Sequence, residues 1–101
     1  MDDAADSAVD VELSERGLRL LVVDDHELVL LGTRLLLARL EWVERCLQAR
    51  DCEQALTLAR RHRPHVAVVD LFIGPHSGLS LCAALHGAMP CIRVLLMSGV
   101  G

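Results

Sequence analysis

The sequence predicts an α/β fold built on a parallel sheet, and three observations predict it. Apolar runs begin near Arg19, Val43, Val66 and Ile92, at start-to-start intervals of 24, 23 and 26 residues, the length of a strand, a helix and two short loops. The runs Leu20-Leu21-Val22-Val23 and Val66-Ala67-Val68-Val69 are apolar at consecutive positions, as expected of strands covered by helices on both faces. The segments between them carry apolar residues at helical spacing: Cys52, Ala55, Leu56 and Ala59 follow i, i+3, i+4, i+7, and so do Leu81, Ala84, Leu85 and Ala88.

Taken in order, residues 1–17 are acidic. Met1 to Arg16 carries six of the fourteen acids and one of the ten arginines and shows no periodic apolar pattern, so a disordered, solvated tail is expected there. One domain, 18–101, remains, nearly neutral at eight acids against nine arginines; the net charge of −4 therefore says little about partners. The segment after Asp25 is an unusually apolar helix, with Leu28, Val29, Leu30, Leu31, Leu35, Leu36, Leu37 and Leu40, and needs cover on more than one side. Trp42 to Leu47 mixes apolar and charged residues, as an edge strand does. Asp51 with Gln54 three residues on predicts a capping box, and Arg60, Arg61, His62 and Arg63 fill the last turn of that helix before Pro64 ends it.

No stretch approaches the roughly 18 apolar residues of a membrane helix, and the acidic start is opposite in sign to a secretory signal, so a cytoplasmic protein is expected. Cys46, Cys52, Cys82 and Cys91 lack C-x-x-C spacing and predict buried, reduced thiols, and His62, His65, His76 and His86 lack metal-ligand spacing.

The chemistry lies where the runs stop. Leu20–Val23 stops at Asp24-Asp25, Val66–Val69 at Asp70, and Val94–Met97 at Ser98. In one parallel sheet these side chains share the carboxyl edge, where open α/β sheets bind ligands. Three carboxylates brought together repel one another, and protonation or a bound cation must relieve the repulsion. Mg²⁺ suits them, since it takes one or two carboxylates with waters and a phosphate oxygen. A carboxylate beside such an ion can attack a phosphoryl group. On this reading Asp70 is the nucleophile, Asp24 and Asp25 hold the metal, and Ser98 contacts the phosphoryl group.

These residues resemble the receiver domains of two-component response regulators, in particular those attached to LuxR/FixJ-type DNA-binding domains. The resemblance runs from about Leu18 to Gly101, through LLVVDDHELVLLG, AVVDL with its loop FIGPHSGL, and RVLLMSG. It implies a doubly wound, flavodoxin-like fold with strand order 2-1-3-4 followed by a fifth strand. It implies Asp70 as phosphoacceptor, Mg²⁺ held by Asp24, Asp25, Asp70 and the backbone carbonyl of Phe72, and Ser98 as the switch hydroxyl. A histidine kinase would be the phosphoryl donor, and DNA would be bound only through an output domain beyond this sequence. Such a module signals and is not an enzyme.

Two departures from the pattern stand out. Receivers usually carry Met-Pro three and four residues beyond the phosphoacceptor; here Ile73-Gly74 occupy those places with Pro75 one later, while Gly78 keeps its position, which implies an altered turn. Receivers also continue through further helices and a fifth strand opening on a Lys, whereas this sequence ends at Gly101 and contains no lysine. It reads as a receiver truncated after its fourth strand. Without the fifth strand, Ile92 to Met97 would be an apolar sheet edge and part of the first helix would lie bare, so self-association through either is expected. The competing class is a receiver-like interaction or dimerisation module that takes no phosphate. A phosphatase of the haloacid dehalogenase type needs a second Asp two residues after the first, where this chain has His26 after Asp24.

Overall fold

A computed structural model describes residues 8–14 and 16–98. Its elements are β1 (Val9–Glu12), β2 (Leu18–Val23), α1 (Glu27–Leu37), β3 (Val43–Ala49), α2 (Cys52–His62), β4 (Val66–Asp70), the short pair β5 (Phe72–Ile73) and β6 (His76–Ser77), α3 (Gly78–Ala88) and β7 (Arg93–Met97). The main sheet has the order β1-β3-β2-β4-β7. Four of its strands are parallel, in the order β3-β2-β4-β7, and β1 lies antiparallel on β3.

Strand alternation sends alternate residues to opposite faces. On one face Leu21, Val23, Leu47, Ala49, Ala67 and Val69 pack against Ala55, Leu58 and Ala59 of α2 and Leu81 and Leu85 of α3. This is the main core, built from the period-2 faces of three strands and the period-3.6 faces of two helices. Helix α2 starts on Asp51, whose carboxylate accepts from Gln54 N at 2.8 Å, while Gln54 Oε1 accepts from Arg50 N at 2.9 Å. It ends on Arg63 in the left-handed region, φ 49°, immediately before Pro64. Helix α3 starts on Ser77, whose hydroxyl accepts from Leu79 N at 3.1 Å. The expected apolar face of α3 holds at Leu81 and Leu85, but Ala84 is exposed.

The opposite face of the sheet is the territory of α1. Buried Gln48 of β3 donates from Nε2 to the Leu30 carbonyl at 2.6 Å and ties the helix down. Only Leu30 of α1 is fully buried; Leu28, Leu31, Leu35 and Leu36 are exposed, so the cover expected around this helix is absent among the described residues.

Three expectations are corrected. Residues 9–12 are a strand, not disordered tail; Met1 to Ser7 and Glu15 lie outside the described residues. The sequence Val-Asp-Val-Glu alternates, placing Val9 and Val11 half-buried opposite Gln48 and Cys46 while Asp10 and Glu12 stay outward. Asp10 pairs with Arg45, which offsets its charge, and lies 2.9 Å from His62 Nε2. In consequence β3 is interior to the sheet and not its edge, since β1 takes the edge position. The cysteines are free, but only Cys46 is buried, and Cys91 is exposed because it sits in the turn between α3 and β7.

Candidate functional site

Strands β2 and β4 are parallel neighbours with Val22 opposite Val68 and Val23 opposite Val69, so Asp24 and Asp70 leave the sheet side by side. Asp24 is held by its own amide, which donates to the Ala49 carbonyl of β3 at 3.1 Å. Both carboxylates are deeply placed, at 4% and 3% residue exposure, while Asp25 is partly exposed. Asp24, Asp25, His26 and Asp70 each bring one potential ligand atom to within 4.8 Å of all the others.

Backbone amides orient the set. Phe72 N donates to Asp70 Oδ1 at 3.1 Å, Gly74 N to Asp25 Oδ2 at 2.9 Å, and His26 N to Asp24 Oδ1 at 2.9 Å. Asp25 Oδ1 is buried and accepts no hydrogen bond, with the His26 ring nitrogen 3.2 Å away. A buried carboxylate oxygen without a donor is costly, and a bound cation removes that cost. The donor set is rich in hard carboxylate oxygens and so fits Mg²⁺.

The loop after Asp70 is shaped by two glycines. Phe72-Ile73 pair with His76-Ser77 across Gly74-Pro75, a two-residue hairpin with Gly74 at φ 56°. Proline cannot follow with a positive φ, which leaves the II′ type of turn, Gly first. This is the altered turn that the late Pro75 implies. Gly78 meets the loop from the other side: a Cβ there would lie 2.2 Å from the Asp70 carbonyl oxygen, so the backbone of Asp70 and Leu71 can be approached this closely only by glycine. On the other flank Leu71 N donates to Met97 O at 2.7 Å, holding the end of β7 against the loop. Met97 is registered opposite Asp70, and Ser98 is the next residue, exposed beyond the strand end. The Phe72 ring is exposed while its amide serves Asp70.

Sequence reasoning passed over His26. Its Nδ1 lies 2.6 Å from Asp24 Oδ1, 3.2 Å from Asp25 Oδ1 and 3.8 Å from Asp70 Oδ2. The hydrogen bond with Asp24, followed by the charges of Asp24 and Asp25, raises its pKa above the ordinary imidazole value. No spacing in the sequence marks it: the ring is aimed by the local turn in which Asp24 Oδ1 accepts from the His26 amide.

A parallel sheet flanked by helices, with carboxylates from two adjacent strands gathered at its carboxyl rim, defines a doubly wound α/β domain with an acidic pocket. Residues 20–101 match the response regulator receiver domain, and the chain belongs to that family. It is similar to the response regulator GacA of Pseudomonas aeruginosa, 37% identical over 82 residues that make up 80% of this chain and 38% of that protein. It is similar too to the transcriptional regulatory protein DegU of Brevibacillus brevis, 25% identical over 87 residues, 86% of this chain and 37% of that protein. The chain thus spans less than half the length of these curated relatives. Among solved structures it resembles a LuxR-family two-component response regulator from Aurantimonas sp. (TM-score 0.75, 26% identity, 84% of this chain and 61% of that one) and the signal receiver domain of NarL from Mycobacterium tuberculosis (TM-score 0.74, 31% identity, 85% and 69%). No helix among the described residues is long and apolar enough to cross a membrane.

Proposed function

We propose that this chain is the phosphoacceptor receiver of a two-component response regulator. Asp70 takes a phosphoryl group from the phosphohistidine of a partner histidine kinase and so controls a DNA-binding output domain. The observation that carries the reading is the meeting of Asp24, Asp25 and Asp70 within one 4.8 Å cluster at the carboxyl rim of the sheet. Asp24, Asp25, Asp70 and the Phe72 carbonyl would hold Mg²⁺, which when bound spreads the charge of the transferring group. In the transfer a carboxylate oxygen of Asp70 forms a P–O bond as the N–P bond of the donor breaks, and the released imidazole takes up a proton. The Phe72 amide keeps the Asp70 carboxylate turned into the pocket, and the Ser98 hydroxyl, one residue past the strand end beside Asp70, donates to a phosphoryl oxygen. Intact-mass spectrometry after incubation with Mg²⁺ and a small acyl phosphate tests this: one phosphoryl group on the chain and none on Asp70→Asn is expected. No uptake by either, with both folded and with the segment that follows Gly101 in the longer relatives supplied, overturns it.

A second reading, an interaction module that pairs with another copy of itself, is favoured by a different observation. Strand β7 has no neighbour on its outer side among the described residues, its Leu95 and Leu96 are 60% and 43% exposed, and Leu28, Leu31, Leu35 and Leu36 of α1 are bare. Unpaired apolar edges recruit strands, and bare apolar patches recruit surfaces. Sedimentation velocity of the chain at tens of micromolar, expected to show dimers or larger species, decides this reading independently of phosphate.

A further inference from the structure

His26 stands among the carboxylates in a way the proposed Mg²⁺ chemistry leaves unexplained. It is the residue before α1, and the bond from its amide to Asp24 Oδ1 fixes its backbone. Its ring is mostly exposed on one side, yet Nδ1 is turned inward to three carboxylate oxygens at 2.6, 3.2 and 3.8 Å. Donors bound to one ion at about 2.1 Å, at octahedral or tetrahedral angles, lie about 3.0–3.4 Å from each other. The 3.2 Å spacing falls in that range, with 2.6 Å below it and 3.8 Å above. The imidazole nitrogen thus lies close enough to Asp24, Asp25 and Asp70 to share one ion with them after small side-chain shifts, and its hydrogen bond to Asp24 keeps it there.

Oxygen donors alone suit Mg²⁺, while imidazole nitrogen shifts preference toward first-row transition ions, whose affinity rises along the series from Mn²⁺ to Cu²⁺. Resting on the reading of this cluster as a cation site, we propose that His26 Nδ1 is a fourth protein ligand, so that the site binds a first-row transition ion in preference to Mg²⁺. Ligation requires the neutral ring with its Nδ1 lone pair free, so the proton that bridges to Asp24 leaves to solvent as the ion enters. His26 Nε2 then keeps its N–H and faces water.

The test uses the whole chain, metal-free, at about pH 8. Co²⁺ and Mg²⁺ are titrated separately by calorimetry into wild type, His26→Phe and the double variant Asp24→Asn/Asp25→Asn, with circular dichroism as the check on folding. The proton NMR spectrum of the Co²⁺-loaded wild type is also recorded. The proposal expects Co²⁺ to bind wild type at least about ten-fold tighter than Mg²⁺, and hyperfine-shifted, non-exchangeable imidazole C–H resonances from a ligated histidine. It expects His26→Phe to lose that signal and about ten-fold or more in Co²⁺ affinity while Mg²⁺ affinity moves less than about three-fold. Binding of both ions with no shifted imidazole signal overturns the fourth ligand and leaves the carboxylate site standing; this outcome is read on wild type and does not depend on the variant folding. Failure of wild type to bind either ion, or Co²⁺ binding that survives the double Asp variant, overturns the cation site itself and the proposal with it.

Discussion

The carboxyl rim of the sheet and its β7 edge are both unsatisfied, in opposite senses. At the rim, charge is crowded: two buried carboxylates and a third whose Oδ1 accepts no hydrogen bond sit within one small cluster. At the edge, apolar surface is open to water, with Leu95 exposed and the α1 leucines beside the same face of the sheet. The β1 edge shows what a finished boundary looks like, a four-residue strand with acids outward and those acids paired to Arg45 and His62. The difference sets what the two proposals ask of each region: a cation at the rim, and an apolar surface against the β7 edge. It also predicts opposite mechanical behaviour, because the rim is fixed by backbone contacts while the edge is free to accept change.

The hardest break of this comparison is at Gly78. A methyl group there would meet the Asp70 carbonyl oxygen at 2.2 Å, backbone against backbone, with no flexible side chain to yield. Gly78→Ala should cost about 3 kcal/mol or more in denaturant unfolding and displace the Asp70 loop. A loss below about 1 kcal/mol would mean the rim is as pliant as the edge.

Next in size is the rim's own charge. Asp25→Asn keeps an acceptor for Gly74 N and removes one of three crowded negative charges. The metal-free chain should gain about 0.5–1 kcal/mol, and the stabilisation that Mg²⁺ gives wild type should disappear. Thermal unfolding with and without Mg²⁺ checks both; a less stable metal-free variant would show that the carboxylates are not in conflict.

These positions mark how far the sequence could be read. Consecutive apolar runs ending in Asp24-Asp25 and Asp70 were enough to place those acids at one edge, because a parallel sheet leaves no other destination for residues at the ends of adjacent strands. Helices α2 and α3 were legible from their spacing and from Asp51. Strand β1 was not, since the acids of Val-Asp-Val-Glu outweighed its alternation and the partners beside them, Arg45 and His62, are 35 and 52 residues away. The role of β3 as an interior strand was hidden for the same reason. The Phe72–Ser77 hairpin was too short for any periodicity, and His26 was overlooked because its importance comes from a turn that aims its ring, which spacing does not reveal.

The edge is sharpened by Leu95→Lys. Leu95 is 60% exposed on the outer strand, so the monomer should change by less than about 0.5 kcal/mol, while the charge should suppress self-association in sedimentation velocity. Unchanged association would shift the apolar contact to α1.

The smallest effect concerns the seating of α1. Cys46 lies on β3 two residues before Gln48, on the face that α1 covers, and burial pushes its thiol up to about 11, with Arg34 of α1 pulling weakly the other way. A thiol whose folded pKa lies above its ordinary 9.0 favours the folded state below that value, and the benefit fades as pH rises from there through about 11. Near pH 8, therefore, the buried thiol should resist alkylation while exposed Cys91 reacts first, and the lag between them measures how often α1 lifts from the sheet. If a partner covers the bare leucines of α1, raising the protein concentration should slow Cys46 alkylation and leave Cys91 unaffected. Alkylation of Cys46 at the rate of Cys91 would show that Gln48 and Leu30 alone do not hold the helix in place.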